Sequence, residues 1–212
     1  MSEHHPDAPS PDPEIPESFF SRAVLFELSL VLVAAVLAWV FNVPVFADFA
    51  WDWKAGLLGV SSALPLLAFF AWLLQSEYPP FVEIRDFLEH FVSRLFGKWN
   101  ILQLAILSLA AGIGEEILFR GVLQVGVGNI TSPITGVLIA CFAFALCHAM
   151  TAAYFVTTLV IGAYLSLVWY AAGNLIAPIV THAVYDFVAL IFYLRYFGSK
   201  NAKAENESAE EP

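Results

Sequence analysis

The chain has 212 residues, of which 59% are hydrophobic and 13% are charged, and its mean hydropathy is +0.74. A soluble domain of this length needs far more polar surface, so the composition excludes one and indicates a polytopic membrane protein. Most of the net charge of −10 comes from two acidic tails, and no basic patch suggests a nucleic acid partner.

The N-terminal tail, residues 1–20, is rich in proline and acidic residues. It lacks a basic region ahead of an apolar run, so it does not have the pattern of a secretory signal. Because it has too few apolar residues to fold, we expect disorder there and in the acidic C-terminal tail, residues 199–212.

Apolar runs of about 17–25 residues, long enough to cross a bilayer, recur along the rest of the chain. They predict an all-α membrane bundle of about six transmembrane helices, at residues 23–41, 53–74, 101–127, 133–149, 153–172 and 176–197. We expect the chain to divide into residues 21–98, with two spans and an interfacial helix, and a core at residues 99–198.

The interfacial helix is predicted at residues 81–96, after the break made by Pro79 and Pro80. Its apolar residues recur every three or four positions, and charged residues lie between them. This period is typical of an amphipathic helix on a membrane surface, and the chain offers no soluble domain on which such a helix could pack.

The basic residues predict the orientation of the spans. With a cytoplasmic N-terminus, seven of the nine lysines and arginines lie on the cytoplasmic side, Lys54 lies outside and Arg120 lies within a span. This bias follows the positive-inside rule. We therefore expect a multi-pass protein of the cell membrane with both termini in the cytoplasm.

The predicted core contains very few charged or ionisable residues. Between Trp99 and Leu194 the Asp, Glu, Lys, Arg and His residues are Glu115, Glu116, Arg120, His148, His182 and Asp186. Such groups are costly at membrane depth unless they are paired or solvated, and they usually mark function. We interpret these six residues as one candidate site.

Their positions on the helix indicate different roles for the two glutamates. Adjacent residues on a helix point about 100° apart, so Glu115 and Glu116 have different neighbours. Glu116 precedes Arg120 by four residues, the favoured order for an ion pair on one face. Glu115 has no such partner and is the freer group, suited to accept a proton. The alternative is that both acids only stabilise helix packing. An ion pair for that purpose uses one acid and one base, so one acid would be in excess.

The histidines also have two interpretations. His148 ends an apolar run, where a lone histidine is more often a satisfied core residue, but hydroxyl and amide partners are scarce in a membrane. His182 and Asp186 are four residues apart and share a helical face. Asp186 can therefore hold one ring nitrogen of His182 and fix its tautomer, or the two can form a purely structural pair.

A depth argument brings some of these residues together. At 1.5 Å per residue, Glu115 and His148 both lie about 20 Å from the turn that joins their helices, so an antiparallel hairpin makes them level. By the same reasoning His182 lies about 10 Å closer to the membrane surface than Glu115 and His148 do. Either the link at residues 173–178 dips into the membrane, or one of the helices is broken.

Three motifs resemble a known family. The chain has Glu115-Glu116-x-x-x-Arg120, then Phe144-x-x-x-His148, then His182-x-x-x-Asp186. Their order and spacing are similar to those of the CAAX protease and bacteriocin-processing family of glutamic-type intramembrane endopeptidases. The resemblance extends over about residues 101–197, and residues 1–100 carry no motif of the family.

The resemblance implies that a glutamate activates water to attack a peptide bond in a membrane-associated substrate. Glu115 would be the general base, helped by His148, and His182 with residue 186 would stabilise the oxyanion. Glu116 and Arg120 would support the site or grip the substrate. The eukaryotic CAAX-processing branch has Asn at the last position, whereas Asp186 can donate a hydrogen bond only when protonated. Asp186 would thus serve to orient His182.

Two other classes of function remain open at this stage. No cofactor is expected, but two histidines and up to three carboxylates could hold zinc in a metal-dependent peptidase, although the chain has no HExxH helix. Buried Glu and His residues also serve ion-coupled transporters, whereas a bacteriocin immunity protein would bind a peptide without cutting it. We find no internal repeat of the kind that transporters have.

Overall fold

The computed structural model describes residues 15–45 and 49–197, and within these ranges the chain is helical and forms no strand. The α-helices in chain order are α1 (Phe19–Phe41), α2 (Trp53–Gln75), α3 (Pro79–Phe87), α4 (Ser93–Phe96), α5 (Ile101–Glu116), α6 (Val125–Ile130), α7 (Pro133–Cys147), α8 (Ala152–Ala172) and α9 (Ile176–Phe192). Three π-helical segments continue α3, α5 and α9 without a break: π1 (Leu88–Val92), π2 (Ile117–Gln124) and π3 (Tyr193–Phe197).

The predicted helical membrane bundle is confirmed. Five stretches in the described ranges are long and apolar enough to span a bilayer: α1, α2, the continuous helix Ile101–Ile130, α8 and Ile176–Arg195. The fourth predicted span is α7, a shorter apolar helix of 15 residues. The predicted disorder of the two tails concerns residues outside the described ranges, apart from residues 15–20, where α1 begins at Phe19.

The outer surface of the bundle is apolar. On α1 the side chains of Leu32 and Trp39 are 70% and 84% exposed. Such a surface is stable in a bilayer, because lipid hydrocarbon chains contact the apolar side chains that a soluble protein would bury in its interior. The chain is therefore a multi-pass membrane protein.

Local signals in the sequence set the helix ends near the site. Asn100 and Gln103 form a reciprocal capping box that begins α5. Ser132 and Thr151 cap α7 and α8 through their hydroxyl groups. Gly173 ends α8 in the left-handed conformation that glycine adopts without strain.

The helix α5 packs between α1 and α9. Two glycines allow this close packing because each leaves room for the backbone of a neighbour. A Cβ atom at Gly112 would lie 2.9 Å from the carbonyl oxygen of Ile179 in α9. A Cβ atom at Gly114 would collide with the carbonyl oxygen of Glu27 in α1. The end of α5 is thereby held against both neighbours.

The link between α8 and α9, which precedes His182, is largely buried inside the protein. Leu175 and Ala177 are buried. Asn174 caps the start of α9 by accepting from the Ile176 amide, and it donates to the carbonyl oxygen of Ala50 in the loop between α1 and α2. The link is thus buried within the protein, and α9 is continuous from Ile176 through His182.

The predicted amphipathic helix is present as α3, π1 and α4. Its buried residues, Ile84 and Leu88, pack against α2 and the end of α9, and the opposite face exposes Glu83 and Glu89. Arg85 fixes it in place by donating to carbonyl oxygens at the end of α2. The helix is thus part of the bundle wall near the candidate site.

Candidate active site

Glu116, the last residue of α5, is fully buried and connects two helices. Its Oε1 atom accepts a hydrogen bond from Arg120 Nη1 at 2.8 Å and another from His182 Nδ1 at 2.8 Å. The predicted pair of Glu116 with Arg120 is therefore present. Sequence reasoning missed the contact with His182, because residues 66 positions apart share no local pattern.

Arg120 lies in π2 and is also fully buried. Its Nη2 atom donates to the carbonyl oxygen of Gly162 in α8 at 3.0 Å, and its guanidinium lies over the ring of Phe144 in α7 at 4.5 Å. A buried cation is stable only when its N–H groups have acceptors. Here Glu116 and Gly162 accept from the two terminal nitrogens, and the Phe144 ring packs against the guanidinium. They favour support of the site over a direct grip on substrate.

His182 is held at both ring nitrogens. Glu116 binds Nδ1, while Asp186 Oδ2 lies 3.4 Å from Nε2. The sequence predicted the contact with Asp186, but the shorter contact is the one with Glu116. Two carboxylates on opposite sides fix the orientation of the imidazole plane.

Glu115 and His148 face each other, as the depth argument predicted. Glu115 Oε2 lies 3.7 Å from His148 Nε2. The other ring nitrogen, Nδ1, lies 2.8 Å from the carbonyl oxygen of Phe144. Because a carbonyl oxygen can only accept, Nδ1 carries the hydrogen, and Nε2 of the neutral ring is an acceptor directed at Glu115.

These side chains line one cavity of about 350 Å³. Its polar wall includes Glu115, His148, His182 and Asp186, whereas Glu116 and Arg120 lie behind it. The rest of the wall is mostly apolar and aromatic, and it includes residues of α2, α3, π1 and α8. The cavity therefore combines a few ionisable groups with a wall that is otherwise apolar.

The structure adds one carboxylate to the site that the sequence analysis did not select. Glu27 of α1 lines the same cavity as Glu115, and its backbone lies against Gly114, the residue before Glu115. A signal was available, because Glu27 is a lone charged residue inside the first apolar span. It precedes the three motifs by almost 90 positions, so spacing gave no reason to connect it to them.

Among residues 15–45 and 49–197, no three His, Cys, Asp or Glu side chains converge as a group that could hold a metal. Both rings of the candidate site already have partners at Nδ1, on Phe144 and on Glu116.

Comparison with known proteins agrees with the motifs. Residues 97–188 match the family model described as Type II CAAX prenyl endopeptidase Rce1-like. No match was found among curated proteins or among solved structures. The chain therefore carries an Rce1-like domain, which confirms its resemblance to the CAAX protease and bacteriocin-processing family. This relation supports a CAAX-type intramembrane endopeptidase.

Proposed function

We propose that the protein is a glutamic-type intramembrane endopeptidase in which Glu115 activates the attacking water. The observation that carries this proposal is the pair of acceptors, Glu115 Oε2 and His148 Nε2, 3.7 Å apart at the cavity. Two acceptors make no hydrogen bond with each other. A water molecule that donates one O–H group to each of them satisfies both.

The hydrolysis can be written without a further reactant. Glu115 removes one proton from the water while the water oxygen bonds to the carbonyl carbon of the scissile peptide, and the carbonyl π electrons move to its oxygen. Glu115 then gives the proton to the amide nitrogen as the C–N bond breaks. A carboxylic acid and an amine leave, and the Glu115 carboxylate is regenerated.

His182 is proposed to stabilise the oxyanion. Its ring can donate to Glu116 and Asp186 together only as an imidazolium, which places a positive charge at the cavity. We propose that the Nε2–H group, whose contact with Asp186 is the longer of the two at 3.4 Å, donates to the oxyanion as it forms; a well-placed donor is typically worth about 3–4 kcal/mol in the transition state. Asp186 then orients the ring, since an ionised carboxylate has no hydrogen to donate.

Glu116 and Arg120 are proposed to support the site. Both are buried behind the cavity, and together they fix His182 on α9 relative to Glu115 on α5. Holding reacting groups in register contributes to catalysis because small displacements are costly. No metal takes part in this proposal.

The substrate class is proposed to be a peptide or protein associated with the membrane. The apolar wall of the cavity supports this, because Phe87 and Leu88 of the amphipathic helix contribute to it. A substrate segment that approaches from the bilayer would pass this helix before it meets Glu115. Deletion of α3 with cleavage retained would contradict this route.

The test compares membrane proteomes of cells that carry the wild-type protein, Glu115→Gln or Glu83→Gln. Glutamine cannot accept the proton, whereas Glu83 is exposed on α3 and serves as the matched control. We expect uncut membrane-anchored precursors to accumulate with Glu115→Gln alone. A Glu115→Gln proteome that equals the wild-type proteome would contradict the proposed function.

A further inference from the structure

Glu27 is a half-buried acid that the proposed mechanism leaves without a role. It lies in α1, outside the segment 97–188 that matches the family. An acid within a spanning helix is costly unless a neighbour compensates it. Its neighbours at the cavity are Glu115 of α5 and the pair His182 and Asp186 of α9.

The packing of α1 on α5 brings Glu27 to Glu115. Gly114 immediately precedes Glu115, and its lack of a side chain allows the backbone of Glu27 to lie directly against α5. The contact is made by backbone on both sides, so it fixes the distance between the helices. The place of the Glu27 carboxyl group beside Glu115 therefore follows from the fold and not from a flexible side chain alone.

Two carboxyl groups in this position need a proton between them. They line the same cavity from helices that are in backbone contact, and Oε2 of Glu27 and Oε2 of Glu115 are buried with no donor in the described part of the chain. Two ionised carboxylates this close would repel each other in a medium of low dielectric. A single proton on one of them removes the repulsion and supplies the missing donor.

We propose that Glu27 is a positioning residue for Glu115, which stays protonated and donates its O–H group to the Glu115 carboxylate. This inference rests on the proposed function of Glu115 as the general base. The negative charge is assigned to Glu115 because the proposed mechanism requires it as the proton acceptor.

The proposed hydrogen bond orients the base without entering the reaction. Each carboxylate oxygen has two lone pairs, so Glu115 can accept from Glu27 and still receive the O–H group of a water at His148. Glu27 keeps its proton through the cycle, and the proton that moves is the one taken from water. The bond restricts rotation of the Glu115 carboxyl group and so holds Oε2 towards His148.

The kinetic test uses the full-length protein in liposomes with the precursor that accumulates in the Glu115→Gln cells. Glu27→Gln keeps a neutral donor, and Glu27→Leu removes it. Loss of one hydrogen bond to a charged group predicts a fall in kcat of about 10- to 100-fold for Glu27→Leu, with little change in KM. Glu27→Gln is expected to stay close to the wild type. A wild-type kcat for Glu27→Leu, or an equal loss in both variants, would overturn the inference.

An infrared measurement tests the protonation without any substrate. The carbonyl stretch of a protonated carboxylic acid is distinct from that of a carboxylate and shifts in heavy water. We expect this band in the wild-type protein and in Glu83→Gln, and we expect Glu27→Gln to remove it. A spectrum of Glu27→Gln that matches the wild type would overturn the inference even if Glu27→Leu proved difficult to fold.

The two tests separate failure of this inference from failure of the proposed function. If Glu115→Gln cleaves normally, the proposed function is wrong. If Glu115→Gln is inactive while Glu27→Leu is fully active, only the role of Glu27 is wrong.

Discussion

Gly112 is a position at which α5, which carries both glutamates, lies against the segment of α9 that carries His182. A Cβ atom there would lie 2.9 Å from Ile179 O and 3.1 Å from the backbone nitrogen of Ala183. Ordinary contact begins at 3.4 Å, so Gly112→Ala requires the helices to separate by about 0.5 Å. Both obstacles are backbone atoms, so no side-chain rotation relieves them.

The expected cost of Gly112→Ala follows from that displacement. Site geometry must hold within about 0.5 Å, and a misplacement of about 1 Å can cost roughly 100-fold, so we expect about a 10-fold loss of kcat. Overpacking should also lower stability by about 1–3 kcal/mol.

The assay for Gly112→Ala is precursor cleavage in liposomes, together with thermal unfolding in detergent. Gly56→Ala is the matched control, because a Cβ atom there meets nothing within 4 Å. It should leave activity unchanged. Wild-type activity and stability in Gly112→Ala would refute the view that α5 and α9 are held at contact distance.

Three further outcomes are expected. Arg120→Met should lower the free energy of unfolding by about 3–5 kcal/mol, because it leaves Glu116 buried without its cation, and the added change Glu116→Gln should recover part of the loss in a detergent unfolding assay. Asp186→Asn should retain cleavage, since an amide still holds His182 and can donate to the oxyanion; complete loss of activity would contradict that role. Cleavage should be unchanged in a strong metal chelator, and a loss that Zn²⁺ restores would favour the metal-dependent alternative.

The sequence predicted the parts of the fold and the site that depend on local spacing. The apolar runs located the spanning helices because bilayer thickness sets their length. The four-residue spacings located the pairs of Glu116 with Arg120 and of His182 with Asp186, since residues four apart share a helical face. The hairpin of α5 and α7 allowed rise per residue alone to place Glu115 opposite His148.

The remaining features depend on contacts between distant segments. The hydrogen bond of His182 to Glu116 joins residues 66 positions apart, and the link before α9 is bonded through Asn174 to Ala50 in another loop. The approach of Glu27 depends on Gly114 in a different helix. A single sequence shows such glycines and lone acids but gives no register between the helices that carry them.

The most direct test of the central claim is cleavage of an accumulated precursor by the purified full-length protein in liposomes. Removal of a general base typically costs about 10²- to 10⁴-fold in rate. We expect wild-type protein and Glu83→Gln to cleave at equal rates and Glu115→Gln to be slower by that factor. Cleavage by Glu115→Gln at the wild-type rate would contradict the assignment of Glu115 as the base.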